Sequence, residues 1–96
     1  MKLTVTEQAA NWYKTEMNVT SDQYVRFFAR YGGCSNVQKG FSLGVGTDNP
    51  INIGAETTVA GITFFIEEED VWYFDSHDLI VDYNSETKEP DFKYEA

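Results

Sequence analysis

The sequence predicts a mainly β domain with one long helix near its start. Several short stretches alternate apolar and polar residues, and turn-forming residues separate them. Only one stretch has the three- and four-residue apolar spacing of a helix. This series of strands favours a small sandwich or barrel-like sheet over an alternating α/β fold. Because the 96 residues are 42% hydrophobic, we expect one domain over residues 1–96 with a real core.

The first two predicted elements are a short strand and the long helix. Leu3 and Val5 alternate with threonines, which indicates a strand. Thr6 can cap the helix that follows, and Glu7 in the first turn complements the helix dipole. Mostly apolar residues at three- and four-residue spacing predict an amphipathic helix of about three turns. The residues with this spacing are Ala9, Trp12, Tyr13, Glu16 and Met17.

Two strands flank a glycine-rich turn in the middle of the chain. Residues 23–31 alternate and place four apolar side chains on one face, namely Val25, Phe27, Ala29 and Tyr31. Residues 32–36 are predicted to turn, because two glycines and two small polar residues surround Cys34. A second strand alternates Phe41, Leu43 and Val45 with small residues. Its opposite face carries almost no side chain, so another element can approach closely there.

The second half of the chain contains more strands and an acidic run. Residues 51–55 alternate as a short edge strand, and one longer strand is predicted over residues 57–66. The acidic residues 67–70 precede the apolar block 71–74. This arrangement fits either a short second helix that the acids open or a solvated loop with aromatic residues turned inward.

The chain ends with one further strand and a charged tail. Leu79, Val81 and Tyr83 alternate and predict the last clear strand. Residues 84–96 mix charges with a proline and two aromatic residues. This tail has two interpretations, as a mobile segment or as a segment along the edge of the barrel.

The composition excludes several classes of function. The net charge of −9 disfavours nucleic acid and anionic membranes as partners, because both are bound by clustered basic residues. The acidity indicates solubility, or affinity for cations or a basic partner. The first residues lack the apolar core of a signal peptide, and the apolar stretch 62–66 is too short to span a bilayer. We therefore expect a cytoplasmic protein whose thiol stays reduced.

Cys34 is the main candidate for chemistry, because it is the single cysteine and follows two glycines. A metal-ligand role is one hypothesis, although one thiol cannot complete a tetrahedral site. A small apolar turn residue is the second, and a redox-active thiol near Lys39 is the third. His77, between Ser76 and Asp78, is expected in a solvent-facing turn and not as a ligand. No orienting group is indicated for a nucleophile–base pair, so an enzyme is not expected.

Three stretches of the sequence together carry a resemblance to a known family, namely Leu3–Ala10, Tyr24–Ser35 with Gly40–Leu43, and Gly61–Ile66 with Leu79–Tyr83. In this order they resemble the HesB-like family of A-type iron–sulfur carrier and scaffold proteins. The resemblance implies a compact β-sandwich or pseudo-barrel with one long N-terminal helix and a short second helix. It also implies a cluster-ligand role for Cys34. The family's C-terminal Cys-x-Cys pair is absent, so the chain resembles a cysteine-poor branch.

Two functions are consistent with this resemblance. The first is a non-enzymatic accessory of iron–sulfur cluster biogenesis that transiently binds iron or a cluster through Cys34 of a homodimer. Its partners are expected to be iron–sulfur assembly or recipient proteins. Because clusters are usually held by four thiolates, such binding is expected to be labile. The alternative is a metal-free protein-interaction or small-molecule-binding module that has lost the cluster chemistry.

Overall fold

The computed structural model describes residues 1–34 and 38–96, except for the side chain of Cys34. Within them it has seven strands, one α-helix and one 3₁₀ helix. In chain order these are β1 (Leu3–Val5), α1 (Glu7–Glu16), β2 (Tyr24–Cys34), β3 (Lys39–Thr47), β4 (Ile53–Val59), β5 (Ile62–Glu67), the 3₁₀ helix (Glu68–Phe74), β6 (Asp78–Asn84) and β7 (Glu89–Glu95). The mainly β class and the N-terminal helix are therefore confirmed.

The strands form a three-stranded and a four-stranded sheet. In the first sheet β6 lies between β1 and β7, and in the second the order is β3-β2-β5-β4. β1 runs parallel to β6, and β2 runs parallel to β5, whereas the other neighbours are antiparallel. The predicted tail therefore forms an edge strand, β7, as one of its two interpretations expected.

The helix α1 begins as the sequence predicts. The Thr6 side-chain oxygen accepts a hydrogen bond from the backbone N–H of Ala9 at 3.3 Å, which satisfies one free donor of the first turn. The buried side of α1 consists of Ala9, Ala10 and Tyr13. No helix among residues 1–34 and 38–96 has the length and apolar character needed to cross a membrane.

The core lies between the two sheets and α1, and Phe27 of β2 joins all three. The Phe27 ring centroid lies 5.9 Å from that of Tyr13 in α1 and 6.0 Å from that of Phe92 in β7. It stacks on Phe64 of the neighbouring strand β5 at 6.0 Å. Phe27 and Phe64 are fully buried, so this aromatic group provides much of the apolar burial that holds the sheets together.

One predicted strand is wrong in extent. Residues 57–66 form parts of two strands, β4 and β5, that pair antiparallel through a turn at Ala60 and Gly61. The backbone φ angles there are +53° at Ala60 and +78° at Gly61. Positive φ at both central residues is the geometry of a tight hairpin turn, which alternation alone does not reveal.

The short second helix is confirmed as the 3₁₀ helix. Its first turn carries Glu68, Glu69 and Asp70, where acidic side chains complement the helix dipole. Tyr73 and Phe74 are fully buried, so the helix is anchored to the core by its last turn. Trp72, between the acidic turn and these anchors, remains half exposed.

Candidate functional site

Cys34 is the last residue of β2, and its backbone pairs with that of Lys39 in β3. The register shifts between Tyr31 and Cys34, where Gly32 and Gly33 have φ angles of +99° and +75°. The glycines thus bend the hairpin but do not end the strand. The rest of the predicted turn, residues 35–37, lies outside the described residues, as does the Cys34 side chain. Its role as a metal ligand therefore stays a prediction.

His77 lies in the turn between the 3₁₀ helix and β6. Its Nδ1 atom lies 2.9 Å from the carbonyl oxygens of both Phe74 and Asp75. Because carbonyl oxygens only accept hydrogen bonds, Nδ1 carries the proton and donates, so this nitrogen is not free to bind a metal. Across the described parts of the chain, no group of three or more His, Cys, Asp or Glu side chains could hold a metal ion.

An exposed aromatic cluster lies beside the β2–β3 hairpin and consists of Tyr31, Phe41 and Trp72. The Tyr31 and Phe41 ring centroids are 5.6 Å apart, and those of Phe41 and Trp72 are 5.1 Å apart. Both contacts are edge-to-face, the favourable geometry for aromatic pairs. Tyr31 is 87% exposed and Trp72 is 50% exposed. The cluster therefore presents a large apolar area to solvent on side chains that already hold one another in place.

The position of the aromatic cluster follows from the length of the hairpin. Tyr31 and Phe41 are directly paired across β2 and β3, on the same faces of these strands as the core residue Phe27 and the partly buried Val45. β2 and β3 extend beyond the core. The inward-facing side chains of Tyr31 and Phe41 are therefore not fully covered by any described part of the chain. Trp72 reaches Phe41 from the 3₁₀ helix. The cluster is thus built on rigid elements.

A charged group is centred on Arg26, on the opposite face of β2 from Tyr31. The Arg26 guanidinium donates to Asp70 at 2.7 Å, Glu69 at 3.0 Å and Asp48 at 3.2 Å. Burial disfavours the charge of Arg26, but its bonds, with Asp70 foremost, outweigh this and raise its pKa. With three carboxylates around one guanidinium, this group remains net negative. The 3₁₀ helix links this group to the aromatic cluster, because Asp70 and Trp72 both belong to it.

The aromatic cluster also borders an open groove. The groove has a volume of about 520 Å³, and its lining includes Val71, Trp72, Asp75 and Asp78. Its lining combines apolar and acidic side chains, as the surroundings of Arg26 do. A large aromatic anchor with a polar, charged border is the typical anatomy of a surface that binds another protein.

Sequence reasoning missed this surface because it assigned the aromatic residues to the core. Tyr31 and Phe41 have the alternation of inward-facing residues, and Trp72 was one of four apolar residues in a block. The available signal was the position of Tyr31 directly before two glycines, at the end of an apolar face. Turns lie at the surface, so the last residue of a strand before a glycine-rich turn lies beyond the side chains that bury the rest of its face.

The sequence was compared with known proteins. The chain is 58% identical over 95 residues to a pyruvate dehydrogenase inhibitor of Bacillus subtilis, with 99% of this chain and 100% of that protein covered. It is 34% identical to an uncharacterised protein of Staphylococcus saprophyticus, covering 88% and 89% of the two chains. It is 35% identical to one of Staphylococcus epidermidis, covering 85% and 87%. The chain belongs to the family of these proteins.

This family membership corrects the resemblance to the HesB-like proteins. No family model matches the sequence, and no solved structure matches it either. The Bacillus subtilis relative is named an inhibitor of pyruvate dehydrogenase and not an iron–sulfur protein. The interpretation of the chain as a HesB-like accessory of iron–sulfur cluster biogenesis is therefore wrong. So are the scaffold and metal-binding descriptions and the expected iron–sulfur partners. The shared Gly-Gly-Cys turn and strand order were too general to identify a family.

Proposed function

We propose that this chain is a non-catalytic inhibitor that binds a pyruvate dehydrogenase. The observation that carries the proposal is the 58% identity to the Bacillus subtilis pyruvate dehydrogenase inhibitor over essentially the full length of both proteins. Because this identity extends over both whole chains, a shared target is the simplest expectation. The predicted cytoplasmic location is part of this proposal, since the single thiol would stay reduced there.

We assign the contact with the enzyme to the aromatic cluster of Tyr31, Phe41 and Trp72. Tryptophan and tyrosine are the residues that most often dominate the energy of protein interfaces, because they bury large areas with few rotatable bonds. The three rings already contact one another, so little side-chain freedom is lost when they bind. The acidic group around Arg26 and the net charge of −9 favour an enzyme surface with basic residues.

Inhibition of the purified Bacillus subtilis pyruvate dehydrogenase tests this proposal. The named inhibitor of that organism serves as the positive control. We expect the chain to lower pyruvate-dependent NADH formation in a saturable way, at concentrations near that of the enzyme and without a time lag. A double variant, Tyr31→Ala with Trp72→Ala, should need at least about tenfold more protein for half-inhibition. Full enzyme activity at a large excess of the wild-type chain, while the positive control inhibits, would contradict the proposal.

The time course separates binding from catalysis. An inhibitor that acts by binding reaches its effect within the mixing time at stoichiometric amounts. A chain that modified the enzyme would act below stoichiometry and progressively. Progressive, substoichiometric loss of activity would therefore contradict the non-catalytic part of the proposal.

A further inference from the structure

A second apolar feature of the surface lies in the loop between β3 and β4. Ile51 is 92% exposed, the highest value among the large hydrophobic residues in the described parts of the chain. Its side chain contributes almost nothing to the free energy of folding, because it remains exposed to water. A single exposed isoleucine needs no explanation by itself. The loop that carries Ile51, however, is held in place by an unusual arrangement.

Glu67 at the end of β5 fixes this loop through its side chain. Glu67 is 5% exposed, and its carboxylate accepts hydrogen bonds from the backbone N–H groups of Ile51 at 2.9 Å and Asn52 at 3.0 Å. The backbone N–H of Glu68 in turn donates to the carbonyl oxygen of Asn52 at 2.8 Å. Burying a carboxylate is costly unless it is well bonded, so these bonds hold the loop firmly.

The loop is also fixed on its other side. Asp48 bonds the Arg26 guanidinium at 3.2 Å, and its second carboxylate oxygen accepts from the N–H of Asn49 at 2.8 Å. Pro50 restricts the backbone directly before Ile51. The loop is therefore ordered before any partner arrives. Ordering a loop in advance removes an entropy cost from binding.

The charge around Ile51 is negative. Asp48 at 56% side-chain exposure precedes it in the loop. Exposed Glu68 contacts the loop through the backbone bond to Asn52, and Glu69 follows it with 75% side-chain exposure. Asp48 and Glu69 share the single Arg26 guanidinium with Asp70, so the region stays net negative and favours a partner surface with a basic border.

We infer that Ile51 is an anchor residue that fills an apolar pocket, bordered by Lys or Arg side chains, on the inhibited pyruvate dehydrogenase. This inference rests on the proposed function and adds a second contact to the aromatic cluster. The 3₁₀ helix joins the two contacts, because Glu68 bonds the Ile51 loop and Trp72 belongs to the aromatic cluster. Both contacts are thus on one rigid support and can bind the same partner.

Truncation of Ile51 tests the pocket. With the purified Bacillus subtilis pyruvate dehydrogenase, Ile51→Ala should raise the concentration for half-inhibition at least about tenfold. Ile51→Val, which keeps most of the side chain, should change that concentration less than about threefold. Because Ile51 is exposed, neither variant should shift the melting temperature. Equal inhibition by wild type and Ile51→Ala would overturn the inference while leaving the proposed function intact; lack of inhibition by wild type would overturn both.

Charge variants test the basic border. Glu68→Gln removes one charge beside the loop, and Glu86→Gln removes one from the exposed β6–β7 turn as a matched control. We expect inhibition to weaken severalfold in Glu68→Gln alone. We also expect it to weaken when sodium chloride rises from about 50 to about 300 mM, since salt screens exposed charges. Identical inhibition by both variants and at both salt concentrations would show that the pocket has no basic border.

Discussion

At the scale of single residues, the contact between Phe28 and Gly44 explains the glycine-bearing face of β3. The two residues are paired across β2 and β3, and the Phe28 ring lies against the Gly44 backbone. The Arg26 guanidinium carbon lies 5.6 Å from the centroid of the same ring, within the range of cation–π attraction. The expected close approach to this face is thus made by a side chain of the neighbouring strand.

This contact predicts different costs for two glycine substitutions. A methyl group at Gly44 would lie 2.4 Å from the Phe28 ring, whereas one at Gly46 would lie 3.8 Å from it. Gly44→Ala should therefore lower the free energy of unfolding by about 1–3 kcal/mol, because the ring must move. Gly46→Ala, the matched control, should change it by less than about 0.5 kcal/mol. Urea denaturation measures both values, and equal values would contradict this packing.

At the scale of elements, the hairpin of β4 and β5 is where sequence and structure differ most. The predicted strand over residues 57–66 merged the end of β4 with β5, because the turn between them has only two residues. Ala60 with a φ of +53° gives no signal in the sequence, since alanine rarely adopts this conformation. Other elements had signals of their own, such as the Thr6 cap or the acids before the 3₁₀ helix, whereas the segment that forms β7 had none and kept two interpretations.

The hairpin turn provides a test at this scale. Asparagine tolerates positive φ better than alanine and is favoured at the first central position of such turns. Ala60→Asn should therefore stabilise the protein by about 0.5 kcal/mol, which corresponds to about 2–4 °C in melting temperature. Gly61→Ala, which forces a side chain onto a φ of +78°, should lower the melting temperature. The opposite order in thermal unfolding would show that the turn has another geometry.

At the scale of the whole molecule, the candidate site could not be predicted from the sequence. Whether an apolar residue is covered depends on where the other sheet and the 3₁₀ helix end, and alternation contains no such information. Tyr31 and Phe27 share one face of β2, yet Phe27 is fully buried and Tyr31 is 87% exposed. The sequence did predict a compact β core and an acidic surface. It also predicted chemistry at Cys34, for which the function proposed here has no need.

The proposed binding surface should be dispensable for folding. Tyr31 and Trp72 contribute exposed rings, whereas Tyr24, 37% exposed near the start of β2, lies outside the aromatic cluster and is a matched aromatic control. Truncation of Tyr31 should change stability little, whereas Tyr24→Ala also removes an edge-to-face contact with Phe65 at 6.0 Å and should cost more. The effect on the dissociation constant should differ as well, because the aromatic cluster is proposed to contact the enzyme and Tyr24 is not.

Calorimetric titration of the Bacillus subtilis pyruvate dehydrogenase with this chain tests the central claim most directly. We predict saturable binding of the wild type, an unchanged dissociation constant for Tyr24→Ala, and one at least about tenfold higher for Trp72→Ala. Absence of heat from the wild-type chain, or equal dissociation constants for all three proteins, would contradict the claim that the aromatic cluster binds the enzyme.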